Sequence, residues 1–261
     1  MDDVLAENVF EDEPVIAGDA SSDDEYEDDT VDQQDNAQSA NKLKKKRKFE
    51  EMREKKRMKL SEDASKLGDK VLNLTASQQC DLLTSCDSLP GLLPNHFCAI
   101  DPKKKSPQTS CPFIAALESV LPSYRNICKK VPTEMGCPRV VIVCSSAGRA
   151  VDIIKKLSSN TKFRVGKLFA KHMKLQDQIT SLKTHYPIVI GTPHRLSKLI
   201  ELGALSLKET RMVLIDMKRD VKSYNITTTP NVKEDFFQFL RSAVIPQLGG
   251  NMRLSLVEYN S

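Results

Sequence analysis

Tryptophan is absent from the 261 residues, and aromatic side chains make up only 5% of them. Any core the chain builds must therefore be mainly aliphatic, because few large rings are available to fill it. Cysteine is present without its usual patterns. The seven residues (Cys80, Cys86, Cys98, Cys111, Cys128, Cys137 and Cys144) form no CxxC pair. An odd count without a signal peptide speaks against a disulfide framework, and no metal-ligand set is recognisable. No apolar run approaches the roughly 20 residues of a membrane-spanning helix, so a soluble intracellular protein with no membrane association is expected. Nor is there a GxxxxGK[ST] sequence that would cradle nucleotide phosphates. The single Gly-Lys pair, Gly166–Lys167, falls inside an expected strand with no flanking glycines. No cofactor is expected.

Positive charge is missing from the first 41 residues, which hold 15 Asp or Glu and no Lys or Arg. The formal net charge of +4 therefore conceals −15 on this stretch and +19 on the rest. Residues 1–41 cannot bury enough apolar area to offset the entropy of ordering them, and they read as a disordered acidic tail. Residues 42–60 then carry 11 Lys or Arg against 3 Glu. Lys44, Lys45, Lys46, Arg47 and Lys48 form one cluster, and Lys55, Lys56 and Arg57 belong to a second. Spaced basic clusters serve as nuclear localisation signals and also bind phosphates without sequence preference. Glu50, Glu51 and Glu54 precede Lys55 and Arg57 at a spacing that suits a helix. Residues 61–104 read as a linker with short helices, broken by Pro90, Gly91 and Pro94.

From residue 105 to 261 the pattern becomes regular. A helix is predicted at 112–121, then strands at 139–146, 163–170, 186–192 and 210–216. They alternate with helices at 147–159, 174–184 and 194–203. A helix over 232–248 and a strand over 252–259 follow. Strands with continuous apolar runs, strictly alternating with helices, predict an α/β domain with a mainly parallel sheet and helices on both faces. Ligands of such sheets bind beyond the carboxyl ends of the strands. Four segments fall there, all on one side.

The first, Ser145 and Ser146 with Arg149, opens a helix with hydroxyls, backbone N–H groups and a guanidinium suited to a phosphate; plain helix capping explains the serines equally well. The second, Lys171, His172 and Lys174, is a basic loop suited to a sugar-phosphate backbone, or simply a solvated turn. The third reads Gly-Thr-Pro-His-Arg. Gly191 permits close backbone approach, Thr192 can cap the next helix, Pro193 suits its first turn, and His194 and Arg195 follow. The fourth is Asp216, followed by Met217.

Taken in order, "VVIVCSSAGRAVDIIKKL", "IVIGTPHRLSKLI" and "MVLID" resemble the first RecA-like domain of DEAD-box RNA helicases. By position, Ser145, Ser146 and Arg149 are similar to the Pro-Thr-Arg-Glu-Leu-Ala motif, and Thr192, Pro193 and Arg195 to the Thr-Pro-Gly-Arg motif. Asp216 is similar to the first aspartate of the Asp-Glu-Ala-Asp box. The resemblance implies a RecA-like, P-loop-NTPase-like three-layer domain in which the first two motifs hold RNA backbone. The departures imply that it is not an enzyme. The nucleotide loop is missing, Met217 stands where the catalytic glutamate would be, and the chain ends before a second lobe. The acidic tail, the Lys-Arg segment and one degenerate lobe carrying "KLFAKHMKLQDQ" resemble the CMS-type proteins of the small-subunit processome. That likeness implies a monomer in the nucleolus within a large ribonucleoprotein particle, with pre-ribosomal RNA and processome proteins as partners. It implies a part in pre-18S rRNA processing. Two other readings stay open from the residues alone: an ATPase completed by a partner, and a protein-binding adaptor working through residues 1–60.

Overall fold

The computed structural model describes residues 74–100, 111–171 and 173–258, together with Met52. The acidic tail, the basic segment apart from Met52, and His172 lie outside the described residues. All five expected strands form: β1 (Val140–Val143), β2 (Val165–Leu168), β3 (Ile188–Gly191), β4 (Met212–Asp216) and β5 (Arg253–Val257). They make one sheet in the order β2-β3-β1-β4-β5, and every pairing is parallel. Each strand is shorter than the segment read from the sequence.

Alternation along the strands splits the core in two. Val141 and Val143 of β1, Val213 and Ile215 of β4, and Leu254 and Leu256 of β5 face one cluster, filled by Leu83, Leu196, Leu199, Phe236, Phe237 and Leu240. Val140, Ile142, Ile188, Ile190 and Leu214 face the other, filled by Phe113, Leu117, Tyr124, Ile153 and Leu157. On the first face lie α1 (Ala76–Cys86), α5 (Leu175–Leu182), α6 (Pro193–Glu201) and α7 (Lys233–Phe239). The second face carries α2 (Pro112–Val120), α3 (Tyr124–Lys129) and α4 (Ala147–Asn160). The expected three-layer α/β architecture is what is observed. None of the helices among the described residues is long and apolar enough to cross a membrane.

Three local outcomes differ from expectation or sharpen it. Residues 74–98, read as linker, belong to the domain: Cys80, Leu83, Leu89, Leu92 and Phe97 are buried in the first core cluster. The Cys98 N–H donates to Leu254 O at 2.8 Å, and Phe97 bridges Leu254 in parallel. The helix expected over 232–248 is not continuous. After α7 it widens to a π turn at Leu240–Val244 and tightens to a 3-10 turn at Ile245–Gln247. Pro246 supplies the reason, since it lacks the N–H an α-helix needs and its ring crowds the preceding turn. Gly203 ends α6 as read, with φ +67°. The Gly203 N–H donates to Ile200 O and the Ala204 N–H to Leu199 O, which is a Schellman closure.

Both outer edges of the sheet are sealed by a buried glutamine. At β5, Gln79 accepts from the Leu256 N–H at 2.9 Å and donates to Cys98 O at 3.2 Å. At β2, the Gln178 amide donates to Lys167 O at 3.0 Å and to Phe169 O at 2.9 Å. Each residue is 1% exposed. An open edge strand presents unpaired backbone groups that invite another chain, and these amides remove that invitation.

Candidate nucleic-acid interface

The carboxyl ends of the strands resolve into two pairs of neighbours. The first joins β1 and β4. Ser146 caps α4, its hydroxyl accepting from the Arg149 N–H at 3.2 Å, while Ser145 precedes it half-buried. This start turns Arg149 inward. Its Nε donates to one Asp216 oxygen at 2.7 Å and its Nη2 to the other at 3.0 Å. The arginine side chain is 8% exposed and the aspartate side chain 0%. Phe113 lies beside the guanidinium, 5.8 Å from ring centroid to Cζ. Arg149, expected at a phosphate, is thus engaged by Asp216. Below the pair sits Cys144, whose thiol burial pushes far up, with the Asp216 charge adding to the effect. Met217 is buried at 1% exposure. Lys218 follows, its pKa drawn down first by burial and then by the neighbouring Arg149 charge.

A magnesium-nucleotide does not fit this arrangement. Both oxygens of Asp216 already accept charge-assisted hydrogen bonds from one guanidinium, so a cation would have to displace an internal counter-ion. Met217, the residue after Asp216, is buried and offers a thioether with no carboxylate.

The second pair joins β2 and β3. Gly191 closes β3 so tightly that a Cβ there would meet Leu168 O at 2.4 Å. Thr192 is the N-cap of α6 by position, but its side chain makes no capping bond, contrary to expectation. Its N–H instead donates to Leu168 O across the strands at 3.2 Å. Pro193 opens the helix, and Arg195 comes one residue later than the exposed His194. The Arg195 Nη1 donates to Gln178 Oε1 at 2.9 Å and to Met173 O at 3.3 Å. Burial lowers the pKa of its guanidinium. Among the described residues, Nε and Nη2 of Arg195 have no partner. Lys171 and Lys174 are exposed on the adjoining loop, Lys174 at the start of α5. His194 lies apart from these, its Nδ1 3.5 Å from Asp235 Oδ1 on α7.

Gln178 is the residue of this edge that sequence reading missed. One side chain closes the β2 edge with its amide nitrogen and aims Arg195 with its oxygen. The available signal was a glutamine at an inward position of α5, one turn before Leu182 and among Leu175 and Ile179.

These features define the class of protein: a parallel α/β domain with a basic carboxyl edge in which Asp216 is paired internally with Arg149. Residues 103–255 match the family described as "CMS1: U3-containing 90S pre-ribosomal complex subunit". The match spans more than half the chain, and the chain belongs to that family. It is 35% identical over 134 residues to Protein CMSS1 of Danio rerio, covering 49% of this chain and 45% of that one. It is 41% identical over 102 residues to Protein CMS1 of Chaetomium thermophilum, covering 38% and 41%. To human Protein CMSS1 it is 32% identical over 135 residues, covering 49% and 47%. The matched regions thus span about half the length of these curated relatives or somewhat less. Among solved structures, "DEAD-box helicase Mss116 bound to ssRNA and UDP-BeF" aligns at TM-score 0.40 and 16% identity, covering 55% of this chain and 29% of that one. That likeness is too slight to add to the topology.

Proposed function

We propose that the chain is a non-catalytic assembly factor of the small-subunit processome, acting in pre-18S rRNA maturation. It holds pre-ribosomal RNA along the carboxyl edge of its sheet and contacts processome proteins elsewhere, as a monomer within the particle in the nucleolus. Membership of a family of 90S pre-ribosomal complex subunits supports the setting. The basic segment at Lys44–Lys48 and Lys55–Arg57 supports nuclear import.

The observation that carries the non-catalytic part is the buried Arg149–Asp216 pair, in which the box carboxylate spends both oxygens on an internal guanidinium. What favours RNA is the neighbouring edge. Arg195 is held by Gln178 and Met173 through one nitrogen, which leaves its remaining donors for phosphate oxygens, with Lys171 and Lys174 exposed on the adjoining loop. The Ser145–Ser146 turn supplies backbone N–H groups at a helix start along the same edge.

The reading is tested by titrating labelled single-stranded RNA, and separately labelled ATP with magnesium, into the full chain. RNA binding that weakens on Arg195→Ala, with no saturable ATP binding, is the expected result. ATP turnover lost on Asp216→Ala would overturn it.

A further inference from the structure

Resting on the RNA reading above, we infer that the loop Asp220–Tyr224 is a stacking platform for an unpaired nucleobase, so that the domain takes single-stranded RNA in preference to duplex. The loop follows β4 on the carboxyl edge of the sheet. Its backbone is closed on itself: the Asp220 N–H donates to Tyr224 O at 2.8 Å and the Ser223 N–H to Asp220 O at 3.0 Å. The Asp220 carboxylate accepts from the Lys222 N–H at 2.7 Å and the Tyr224 N–H at 2.9 Å. Arg219 reaches across to Ser223 O at 3.2 Å. Ser223 holds φ +66° to complete the turn, a conformation that L side chains rarely adopt.

This bracing presents apolar groups to solvent. Val221 is 78% exposed, and Tyr224 is 42% exposed. A folded domain has no packing reason to spend its only well-exposed described tyrosine here, and a rigid aromatic loses little entropy on binding. Two cations, Arg219 and Lys222, lie in the loop segment itself, and its one carboxylate, Asp220, accepts through Oδ1 from the loop's own N–H groups. An aromatic face beside cations is the arrangement that binds single strands, where every base offers a π face and every linkage a phosphate. A duplex offers only phosphates, its bases being stacked on one another.

The test compares fluorescence anisotropy of labelled oligoadenylate and of a labelled RNA duplex on the full-length wild type, Tyr224→Ala, Tyr224→Phe and Arg195→Ala. Because the chain has five tyrosines and no tryptophan, the part of the tyrosine quenching by oligoadenylate that Tyr224→Ala removes reads stacking on Tyr224. Tyr224→Ala should weaken oligoadenylate by about 5- to 100-fold, leave the duplex unchanged and remove most of the quenching, while Tyr224→Phe keeps the affinity. Unchanged oligoadenylate binding in Tyr224→Ala, with Arg195→Ala still impaired, would overturn the platform and leave the RNA reading standing. Equal losses on single strand and duplex would also overturn stacking, since they mark a purely electrostatic loop. Loss of particle co-sedimentation at unchanged RNA affinity would assign the loop to a protein contact and reject the inference. A wild type that binds neither RNA would reject the RNA reading itself.

Discussion

Removing the Arg149 guanidinium should leave the Asp216 carboxylate charged, dry and without its counter-ion. The aspartate side chain is 0% exposed, and both of its bonds to Arg149, at 2.7 and 3.0 Å, are lost together. Breaking one partner of such a buried pair costs about 3–5 kcal/mol, against a total stability of about 5–15 kcal/mol for a domain. Arg149→Ala should therefore lose roughly a fifth or more of the stability measured by urea unfolding at neutral pH. The double variant Arg149→Met/Asp216→Leu should recover most of it, because an apolar pair of similar volume is often as stable as the ion pair it replaces. A double-mutant cycle between the two positions should then give a coupling of at least about 1 kcal/mol. A loss below about 1 kcal/mol in Arg149→Ala, additive with Asp216→Leu, would refute the claim that the pair is buried and mutually required.

Gly191→Ala and Gly203→Ala should differ sharply by thermal unfolding. The new Cβ at 191 meets Leu168 O at 2.4 Å, so β2 and β3 must part, at about 2–3 kcal/mol or more; at 203 the space is open and only the φ of +67° is strained, about 1 kcal/mol. Gln79→Leu and Gln178→Leu should each cost about 1–3 kcal/mol by leaving edge backbone groups unpaired, and Gln178→Leu alone should also weaken RNA binding. His96 is held neutral: burial, then the Arg253 charge, lowers its pKa from 6.5, and its Nδ1 accepts from the Leu93 N–H at 3.1 Å. A depressed folded pKa means stability that is complete above 6.5 and lost as pH falls through the folded value. Amide exchange in α1, corrected for intrinsic rates, should accelerate between pH 7 and 5, and His96→Gln should blunt the change.

Strands and helices of the sheet were legible because burial on both faces writes continuous apolar runs, and Gly203 and Pro193 punctuate α6 by local backbone chemistry. The carboxyl-edge segments were legible for the same reason, since topology alone places them together. What sequence could not display is partnership. Arg149 and Asp216 lie 67 positions apart, and Gln79 meets Leu256 across 177. A polar residue facing such a distant partner looks like any other surface group. Residues 74–98 read as linker because Pro90, Gly91 and Pro94 break their periodicity, although their apolar side chains still find the core. The π turn after α7 was hidden because apolar spacing continues through it, and only Pro246 marks the disruption.

The central claim is that this domain grips polyanions through an arginine aimed by its neighbours and does not turn over nucleotide. It is tested most directly by the salt dependence of single-stranded RNA affinity in wild type, Arg195→Ala and Lys171→Ala. Each substitution should weaken binding, and each should make the slope of log affinity against log salt shallower by about 0.7. Slopes and affinities indistinguishable from wild type in both variants would contradict the account.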